Sequence, residues 1–324
     1  MTDRDELKRG VELWNRRHPG FALKEGFVEQ NLLSPFTGVR VELFAARNSG
    51  GLSGMAALKW LSDSAGGGEE PGGKKRGFIS LFTAETGTGE KLLDSCLEFL
   101  QGLGVSEVGY GGDPQNFLPG LHAEFEEQGL AFWQEAGFQP GESVYDLKKT
   151  YSGGGYPRRY DFTDEQNHLK IVECGEELED ELLQFLEEEF PGRWHYEARN
   201  ISRWPAGLSD YWLLLDQSFG AGASPVVLGF ARVNRCDGFY RGPSVNWAAD
   251  SGLPEAGVGP LGLARSARGR GLSLPFLDGV FEMLYNRGYR EITVDWTDLV
   301  DFYRKFGFQV EREYIPLTLT FENN

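Results

Sequence analysis

The strongest constraint on the fold is an order of sequence patterns that occurs once in each half of the chain. An apolar, strand-like run leads to a Gly-x-Gly segment, at residues 87–89 and again at 269–271. A helical pattern, a short strand and an aromatic segment follow, and the aromatic segments end in Gly137-Phe138 and Gly307-Phe308. Any α/β protein alternates strands and helices, but the shared glycine and aromatic positions favour an internal duplication.

The domain organisation follows from this duplication and from the places where glycines cluster. A chain of 324 residues has room for two domains. The sequence therefore predicts an α/β fold of two domains, 1–150 and 158–324, each with a central, mostly antiparallel mixed sheet flanked by helices. The glycine-rich segment 151–157 is predicted to link them. Two further glycine-rich segments are predicted to form a mobile loop at 64–76 and a hairpin turn at 220–225.

Charge and cysteine usage exclude several functional classes. Lys and Arg number 32 against 49 Asp and Glu, and the net charge of −17 repels nucleic acid. The charged N-terminus lacks the apolar core of a signal peptide, and no apolar run is long enough to span a membrane. Three distant cysteines form no disulfide framework, and four histidines show no metal-ligand spacing. The sequence thus predicts a cytoplasmic protein with reduced thiols that uses no metal, membrane or nucleic-acid partner.

The segment 268–273, Arg-Gly-Arg-Gly-Leu-Ser, carries the clearest chemical pattern. It lies between a predicted strand and a predicted helix. Glycines there allow consecutive backbone N–H groups to point outward at a helix N-terminus, which suits a diphosphate. An ordinary glycine-rich turn is the alternative. Leu274 excludes a dinucleotide fingerprint, which needs a small residue there, and Lys91 is not part of a Gly-Lys-Ser/Thr sequence.

This segment resembles the acyl-CoA signature of the GNAT superfamily of N-acetyltransferases, Gln/Arg-x-x-Gly-x-Gly/Ala. Arg268 and Gly271 fill its first two defined positions, and Ser273 stands where Gly or Ala is usual. The later family signature, Phe-Tyr-x-x-x-Gly-Phe, matches residues 302–308, and Trp296 stands at the position of the preceding Asn. The resemblance covers residues 168–320, and it implies acetyl-CoA as co-substrate and a small amine as acceptor.

The resemblance also implies roles for individual residues. The strand before the loop would pair with the pantetheine arm of the cofactor, and the Leu263 N–H would hold the thioester oxygen. Tyr303 would protonate the departing CoA thiolate, although its place in an apolar helical stripe also fits a core residue. The implied cofactor-binding residues are Leu261, Leu263, Arg268, Gly269, Arg270, Gly271, Leu272, Ser273 and Trp296.

A group that removes a proton from the acceptor is also needed, because only a neutral amine attacks the thioester. Asp295, at a predicted strand end, is the candidate catalytic base, and Glu188 and Glu189 are alternatives. Surface or helix-capping roles would explain the same three carboxylates. His195 and Tyr196 lie where this family shapes its acceptor pocket, and they are the predicted acceptor contacts.

The first half resembles the same family less closely. Thr86, Lys91 and Trp133 replace the arginine, the small residue and the tyrosine of the motifs, and residues 113–129 are inserted. The chain is thus similar to tandem GNAT proteins, in an arrangement like that of mycothiol synthase, with a degenerate first copy and an active second one. Two fused copies imitate a dimer, which favours a monomer. A non-catalytic acyl-CoA-binding or scaffold protein is the alternative function.

Overall fold

A computed structural model describes residues 4–62, 75–125, 128–218, 225–247 and 252–321 of the chain. These residues form two compact units. The first comprises Met1–Tyr145, Asn246–Ala248 and Arg312–Asn324, and the second comprises Asp146–Val245 and Ala249–Glu311. The predicted loop at 64–76 lies outside the described residues up to position 74, and the predicted turn at 220–225 lies outside them up to position 224.

The elements alternate along the chain as the repeated pattern predicts. The α-helices of the described residues are α1 Arg4–Arg17, α2 Glu25–Leu33, α3 Gly89–Gly102, α4 Leu130–Glu135, α5 Glu179–Glu189, α6 Arg193–Ile201, α7 Ser273–Asn286 and α8 Val300–Arg304. The strands are β1 Val39–Asn48, β2 Gly51–Leu61, β3 Arg76–Ala84, β4 Glu107–Tyr110, β5 Leu121–His122, β6 Gln139–Pro140, β7 Val144–Thr150, β8 Leu169–Glu173, β9 Tyr211–Asp216, β10 Val226–Arg235, β11 Glu255–Leu263, β12 Glu291–Thr297, β13 Gln309–Ile315 and β14 Leu317–Thr320.

The first unit is built on a sheet with the strand order β1-β2-β3-β4-β14-β6. Only the β3–β4 pair is parallel among the pairings described for this sheet. Helix α3 buries one stripe of side chains, with Leu92, Cys96 and Leu100 in a core shared with Trp133 and Phe138. That stripe has the three- and four-residue spacing of an amphipathic helix, which explains why the segment folds as a helix against the sheet.

The second sheet of the described residues has the strand order β5-β13-β7-β12-β11-β10-β9-β8. The β11–β12 pair is parallel, and β8, β9, β10 and β11 pair antiparallel in turn. Helix α5 has the acidic composition seen in the sequence, and it buries Leu182, Phe185 and Leu186 while its acidic residues are exposed or half-buried. Helix α7 connects β11 to β12, as a parallel pair requires.

The two units share a detailed strand arrangement, which supports the duplication. In the first unit, β3 carries a bulge at Ser80 and its parallel pairing with β4 ends at Ile79–Tyr110. In the second unit, β11 carries a bulge at residues 259–260 and its parallel pairing with β12 ends at Val258–Val294. Each bulge therefore lies directly after the last of four parallel pairs.

The predicted fold class is confirmed, because both sheets are mixed, mostly antiparallel and flanked by helices. The two units differ from contiguous segments 1–150 and 158–324, since each sheet contains a strand from the other of these two segments. Strand β14, near the C-terminus, lies between β4 and β6 in the first unit, and β7, which precedes the predicted linker, lies between β13 and β12 in the second. Hydrophobic periodicity identifies a strand but not its sheet, so the sequence did not indicate this exchange.

Candidate active site

The candidate site lies in the second unit, where β11 and β12 separate. Strand β11 continues for five residues beyond its last described pair, Val258–Val294, and β12 continues to Thr297. The bulge at Gly259 and Pro260 faces Arg232 on β10 and turns the course of β11 at this point. In the strand pairing described, the backbone edge of β11 beyond Val258 is therefore not paired with β12, and it is called the open edge below.

The loop that follows β11 has the backbone conformation expected for an anion site. Gly269 and Gly271 both have φ of +73°, a conformation that favours glycine, and an added Cβ at either would meet open space. Helix α7 begins at Ser273, and no side chain of the described residues caps it. Leu272 is buried and anchors the loop in the core. The predicted strand–glycine loop–helix arrangement is therefore present, with backbone N–H groups available at the helix start.

The open edge of β11 is used by a side chain of the same loop. The Ala264 N–H donates to the Leu228 carbonyl on β10, so the backbone groups of Leu263 point to the opposite side. There the Arg268 Nε donates to the Leu263 carbonyl oxygen over 3.1 Å. The Arg268 guanidinium also lies over the Phe190 ring, 5.8 Å from its centroid. Two residues assigned to cofactor binding thus contact each other at the place where a pantetheine arm would pair.

Other charged groups hold the loop in place. The Glu189 carboxylate accepts the Arg265 backbone N–H over 2.9 Å and lies 3.4 Å from the Arg265 Nε. The Glu188 carbonyl accepts from the Arg265 guanidinium, and the Arg270 carbonyl accepts from the Gln166 side chain. Glu189 therefore joins the end of α5 to the loop, which is a structural role for a residue considered as a base.

Asp295 lies at the point where the strands separate. Its Oδ1 would be only 2.5 Å from a Cβ added to Gly259, so the carboxylate lies against the bare Cα of the bulge. That oxygen is buried and has no hydrogen-bond partner among the described residues. Burial, and next the nearby charge of Asp146, raise the pKa of Asp295 to about 7. A carboxyl with such a pKa can accept and release a proton near neutral pH.

Tyr303 is buried on α8, and only 7% of its surface is exposed. Its ring packs edge-on against Phe302 and Phe308. Burial raises the pKa of Tyr303 well above its usual range, and the charge of Asp295 adds to this effect. The phenol therefore stays protonated at neutral pH and is able to donate its proton. The structure thus places Tyr303 in the core, which is one of the two roles considered from the sequence, and near enough to Asp295 for the carboxylate charge to act on the phenol.

Trp296 adopts a backbone conformation that is unusual for a bulky residue, with φ of +47°. Its ring lies beneath the Arg193 guanidinium at 5.5 Å, and its Nε1 is buried without a hydrogen-bond partner among the described residues. The side chain thus faces α6, the helix that carries the predicted acceptor contacts.

Helix α6 places His195 and Tyr196 half-buried, and burial raises the pKa of Tyr196 to about 12. The next residue, Glu197, is only 1% exposed, and the sequence did not single it out. Its carboxylate accepts from Arg193 over 2.8 Å and lies 3.6 Å from Arg232. In the sequence, the four-residue spacing of Arg193 and Glu197 could have indicated this ion pair on a helix.

The equivalent edge of the first unit is closed. Strand pairing makes Ala84 the counterpart of Leu263, since each pairs with a glycine, Gly54 or Gly229, at the far end of the strand. Both backbone groups of Ala84 bond the Gln128 side chain: its Nε2 donates to the Ala84 carbonyl over 3.0 Å, and its Oε1 accepts the Ala84 N–H over 3.4 Å. An amide of the same chain therefore fills this edge.

The loop after β3 also differs from its counterpart. It has four residues, 85–88, against nine, 264–272, in the second unit. Gly87 has φ of +78°, but Gly89 is already the first residue of α3. Of the two glycines at 87–89, only Gly87 has the positive φ seen at 269 and 271. The shorter loop enters its helix earlier, so Gly89 is helical.

Three solved structures illustrate what this fold resembles. A GCN5-related glucosamine N-acetyltransferase region of a fungal multi-domain GH3 β-N-acetylglucosaminidase matches 98% of the chain with a TM-score of 0.78 and 20% identity, and the match spans only 37% of that protein. A tandem GNAT protein from the clavulanic acid biosynthesis pathway matches 98% of the chain and 96% of its own, with a TM-score of 0.62 and 11% identity. A GCN5-related N-acetyltransferase from Sphaerobacter thermophilus matches 86% of the chain and 80% of its own, with a TM-score of 0.56 and 16% identity.

The fold is that of the GCN5-related N-acetyltransferases. The chain matches the tandem form of this fold, which has two such units in one chain, as the sequence resemblance predicts. Neither the scan against protein-family models nor the search of curated proteins gives a match. Similarity at these identities establishes the fold alone. No helix in the described part of the chain has the length and apolar character that crossing a membrane requires.

Proposed function

We propose that the protein is an acetyl-CoA-dependent N-acyltransferase that acts on a small amine, with its active site in the second unit. The observation that carries this proposal is the position of Asp295. Its unpartnered carboxylate oxygen lies against Gly259, where β11 leaves β12 and where the open edge of β11 begins. A candidate proton acceptor and a backbone edge able to bind an acyl-thioester arm therefore meet at one point.

The loop 264–272 would hold the diphosphate of the cofactor. Its two glycines with positive φ and the uncapped start of α7 offer backbone N–H groups to an anion. Arg268 now bonds the Leu263 carbonyl, so the arrival of a pantetheine amide there would displace the guanidinium. The freed arginine would lie beside the diphosphate, which it attracts.

The proton steps follow from the pKa values of two groups. Asp295, with a pKa of about 7, takes a proton from the acceptor ammonium and passes it to water. The neutral amine attacks the thioester carbon, the C–N bond forms and the C–S bond breaks. The leaving thiolate takes the Tyr303 hydroxyl proton, and the nitrogen gives up its second proton, which restores the tyrosine. Burial keeps Tyr303 protonated until that step.

The first unit would contribute no cofactor site of its own. Gln128 occupies the edge at Ala84, and the loop 85–88 is too short to surround a diphosphate. A single acetyl-CoA per chain is therefore expected.

Titration calorimetry with acetyl-CoA, and CoA release with a panel of primary amines, test the proposal. Gly271→Glu should abolish binding, because a side chain at φ of +73° is strained and its carboxylate repels the diphosphate. Gly87→Glu is the matched control, since Gly87 has nearly the same φ and equal open space in the first unit, and it should bind normally. Unchanged binding by Gly271→Glu would remove the loop from the proposal.

The same experiments separate the second candidate function. Trp296, at the position where the family has Asn, and Ser273, where it has Gly or Ala, favour a protein that binds acyl-CoA without transferring the acyl group. Tight binding of acetyl-CoA with no CoA release on any amine would support that alternative. Turnover that depends on Tyr303 and Asp295 would support the transferase.

A further inference from the structure

Two carboxylates lie on neighbouring strands at the candidate site, Asp146 on β7 and Asp295 on β12. Asp146 is 2% exposed, and none of the family-like motifs of the sequence includes it. We propose that Asp146 is a positioning residue that fixes the direction and the charge of Asp295, so that the pair receives a primary amine in its ammonium form. This inference rests on the proposed function, in which Asp295 accepts the proton.

The positioning is seen in the backbone. The Asp146 Oδ1 accepts the Trp296 N–H over 3.3 Å. Trp296 directly follows Asp295, and its φ of +47° is a strained conformation that a bulky residue keeps only where the surroundings impose it. The hydrogen bond that the Trp296 N–H donates to Asp146 is a contact that holds this conformation. A positive φ turns the backbone at Trp296 away from a regular strand. This turn helps to fix the direction in which the Asp295 side chain points toward Gly259.

The charge effect depends on every element packed around Asp295. Asp146 faces it from β7, Arg232 from β10, Arg193 from α6 and Tyr303 from α8. The charge of Asp146 acts in the same direction as burial and disfavours ionisation of Asp295, while the two arginines act against both. The arginines are themselves shared with the buried carboxylate of Glu197, which limits how far they neutralise Asp295.

This arrangement has a chemical consequence for the acceptor. Without the charge of Asp146, burial alone would oppose the two arginines, so Asp295 would ionise at lower pH and be a weaker base. With it, the pair attracts a cation and Asp295 retains enough proton affinity to deprotonate it. A primary aliphatic amine, cationic at neutral pH, fits this pair better than a neutral aromatic amine or an alcohol.

The origin of Asp146 in the sequence matters as well. It precedes the predicted linker 151–157, and it reaches the second unit's sheet only because β7 is exchanged. A segment that begins at residue 158 would contain Asp295 and Tyr303 but not their positioning residue.

The test uses the full chain and two substitutions. Asp146→Asn keeps an oxygen that can accept the Trp296 N–H but removes the charge, whereas Asp146→Ala removes both. Asp301→Asn is the matched control, because Asp301 is an exposed carboxylate on α8 paired with Arg304. Carbon-13 NMR of the aspartate carboxyl groups, titrated without substrate and assigned with Asp295→Asn, reports the pKa of Asp295 directly.

We expect Asp146→Asn to lower the pKa of Asp295 by about 1 unit and to move the acidic limb of the kcat/KM profile for a primary amine by the same amount. Asp146→Ala should lower kcat further, by about 10-fold relative to Asp146→Asn, with little change in the KM for acetyl-CoA. The control should show neither effect. An unshifted Asp295 titration in Asp146→Asn would overturn the inference.

The two proposals fail in different ways. If no amine is acetylated by the unmodified protein, the proposed function fails, yet the carboxyl titration still decides whether Asp146 sets the charge of Asp295. If amines are acetylated but the titration and the acidic limb do not move, the function stands and the role of Asp146 is refuted. Asp146→Asn differs little in shape from the original, so the test remains decisive even where Asp146→Ala does not fold.

Discussion

Ala84 and Leu263 hold equivalent strand positions in the two units, and the backbone carbonyl of each accepts a hydrogen bond from a side chain later in the sequence. At Leu263 the partner is Arg268, which is exposed and holds one backbone group. At Ala84 the partner is Gln128, whose amide holds both the N–H and the carbonyl. The Gln128 side chain offers a donor and an acceptor, as an amide of a pantetheine arm would. The edge at Ala84 is therefore fully occupied, whereas the edge at Leu263 is held by one bond that an incoming amide could replace.

Substitution of Gln128 tests whether its bonds have become part of the first unit's structure. Gln128→Ala leaves the Ala84 backbone groups without these partners, and we expect the free energy of unfolding to fall by about 1–3 kcal/mol. Calorimetric stoichiometry for acetyl-CoA should stay at one per chain, because the loop 85–88 remains short. Gln139→Ala is the control, since Gln139 is an exposed glutamine with a single long hydrogen bond, and urea unfolding should show little change. A stoichiometry of two in Gln128→Ala would show that the first unit kept a cofactor site.

Removal of the Tyr303 hydroxyl tests the proposed proton donor. Tyr303→Phe keeps the packing against Phe302 and Phe308, so thermal unfolding should be nearly unchanged. We expect kcat for a primary amine to fall about 100-fold, the scale of a lost general acid. Tyr285→Phe removes a hydroxyl that bonds residues 152 and 155 instead, and its kcat should stay within about two-fold of the original. Equal kcat values for the two variants would leave Tyr303 as a core residue only.

Much of the fold was predictable, because it depends on local patterns. The repeated glycine and aromatic positions predict two α/β units, and the spacing of buried side chains in α3 and α5 predicts those helices. The exchange of β7 and β14 was not predictable, since pairing between distant strands leaves no periodic signal. For that reason the sequence did not single out Asp146, whereas it made Asp295 a candidate because this residue stands beside a recognisable motif.

The candidate site was predictable only where backbone conformation decides it. Glycines at 269 and 271 predict a loop with positive φ, and the structure has that loop. The partners of Asp295 are side chains from β7, β10, α6 and α8, which meet only in the folded unit. The buried Glu197 was missed because an acidic residue in a helix usually faces solvent.

Because the pKa of Asp295 is raised, replacing this residue with asparagine should stabilise the protein by an amount that depends on pH. An acid whose pKa rises from 3.8 to about 7 on folding opposes folding increasingly as pH rises through that window, since the unfolded chain ionises first. Asp295→Asn removes this opposition. The gain in unfolding free energy should therefore increase by about 2 kcal/mol between pH 5.5 and pH 8.5. Urea unfolding at both pH values measures it, and Asp301→Asn serves as the control with no such increase. A gain independent of pH would mean that Asp295 is ionised throughout.

The first unit contains a buried ion pair whose two halves should differ in importance. The Lys59 Nζ lies 3.0 Å from the Asp113 carboxylate, and neither side chain is more than 1% exposed. Burial lowers the pKa of Lys59, and Asp113 opposes that effect. Asp113 also accepts the backbone N–H groups of Gln115 and Phe117, over 2.8 and 3.4 Å, so it keeps partners when the lysine is removed.

We therefore expect Asp113→Asn to cost about 3–5 kcal/mol, because it leaves a buried ammonium without its counter-charge. Lys59→Met should cost less, since Asp113 retains its two backbone donors and the methionine fills a similar volume. The combined variant should recover part of the loss seen in Asp113→Asn, and urea unfolding of the three proteins measures the coupling. Because the isolated Lys59 can lose its proton, the cost of Asp113→Asn should also shrink as pH rises from 7 to 9. Equal costs for the two single variants, with no recovery in the double, would show that the two charges do not depend on each other.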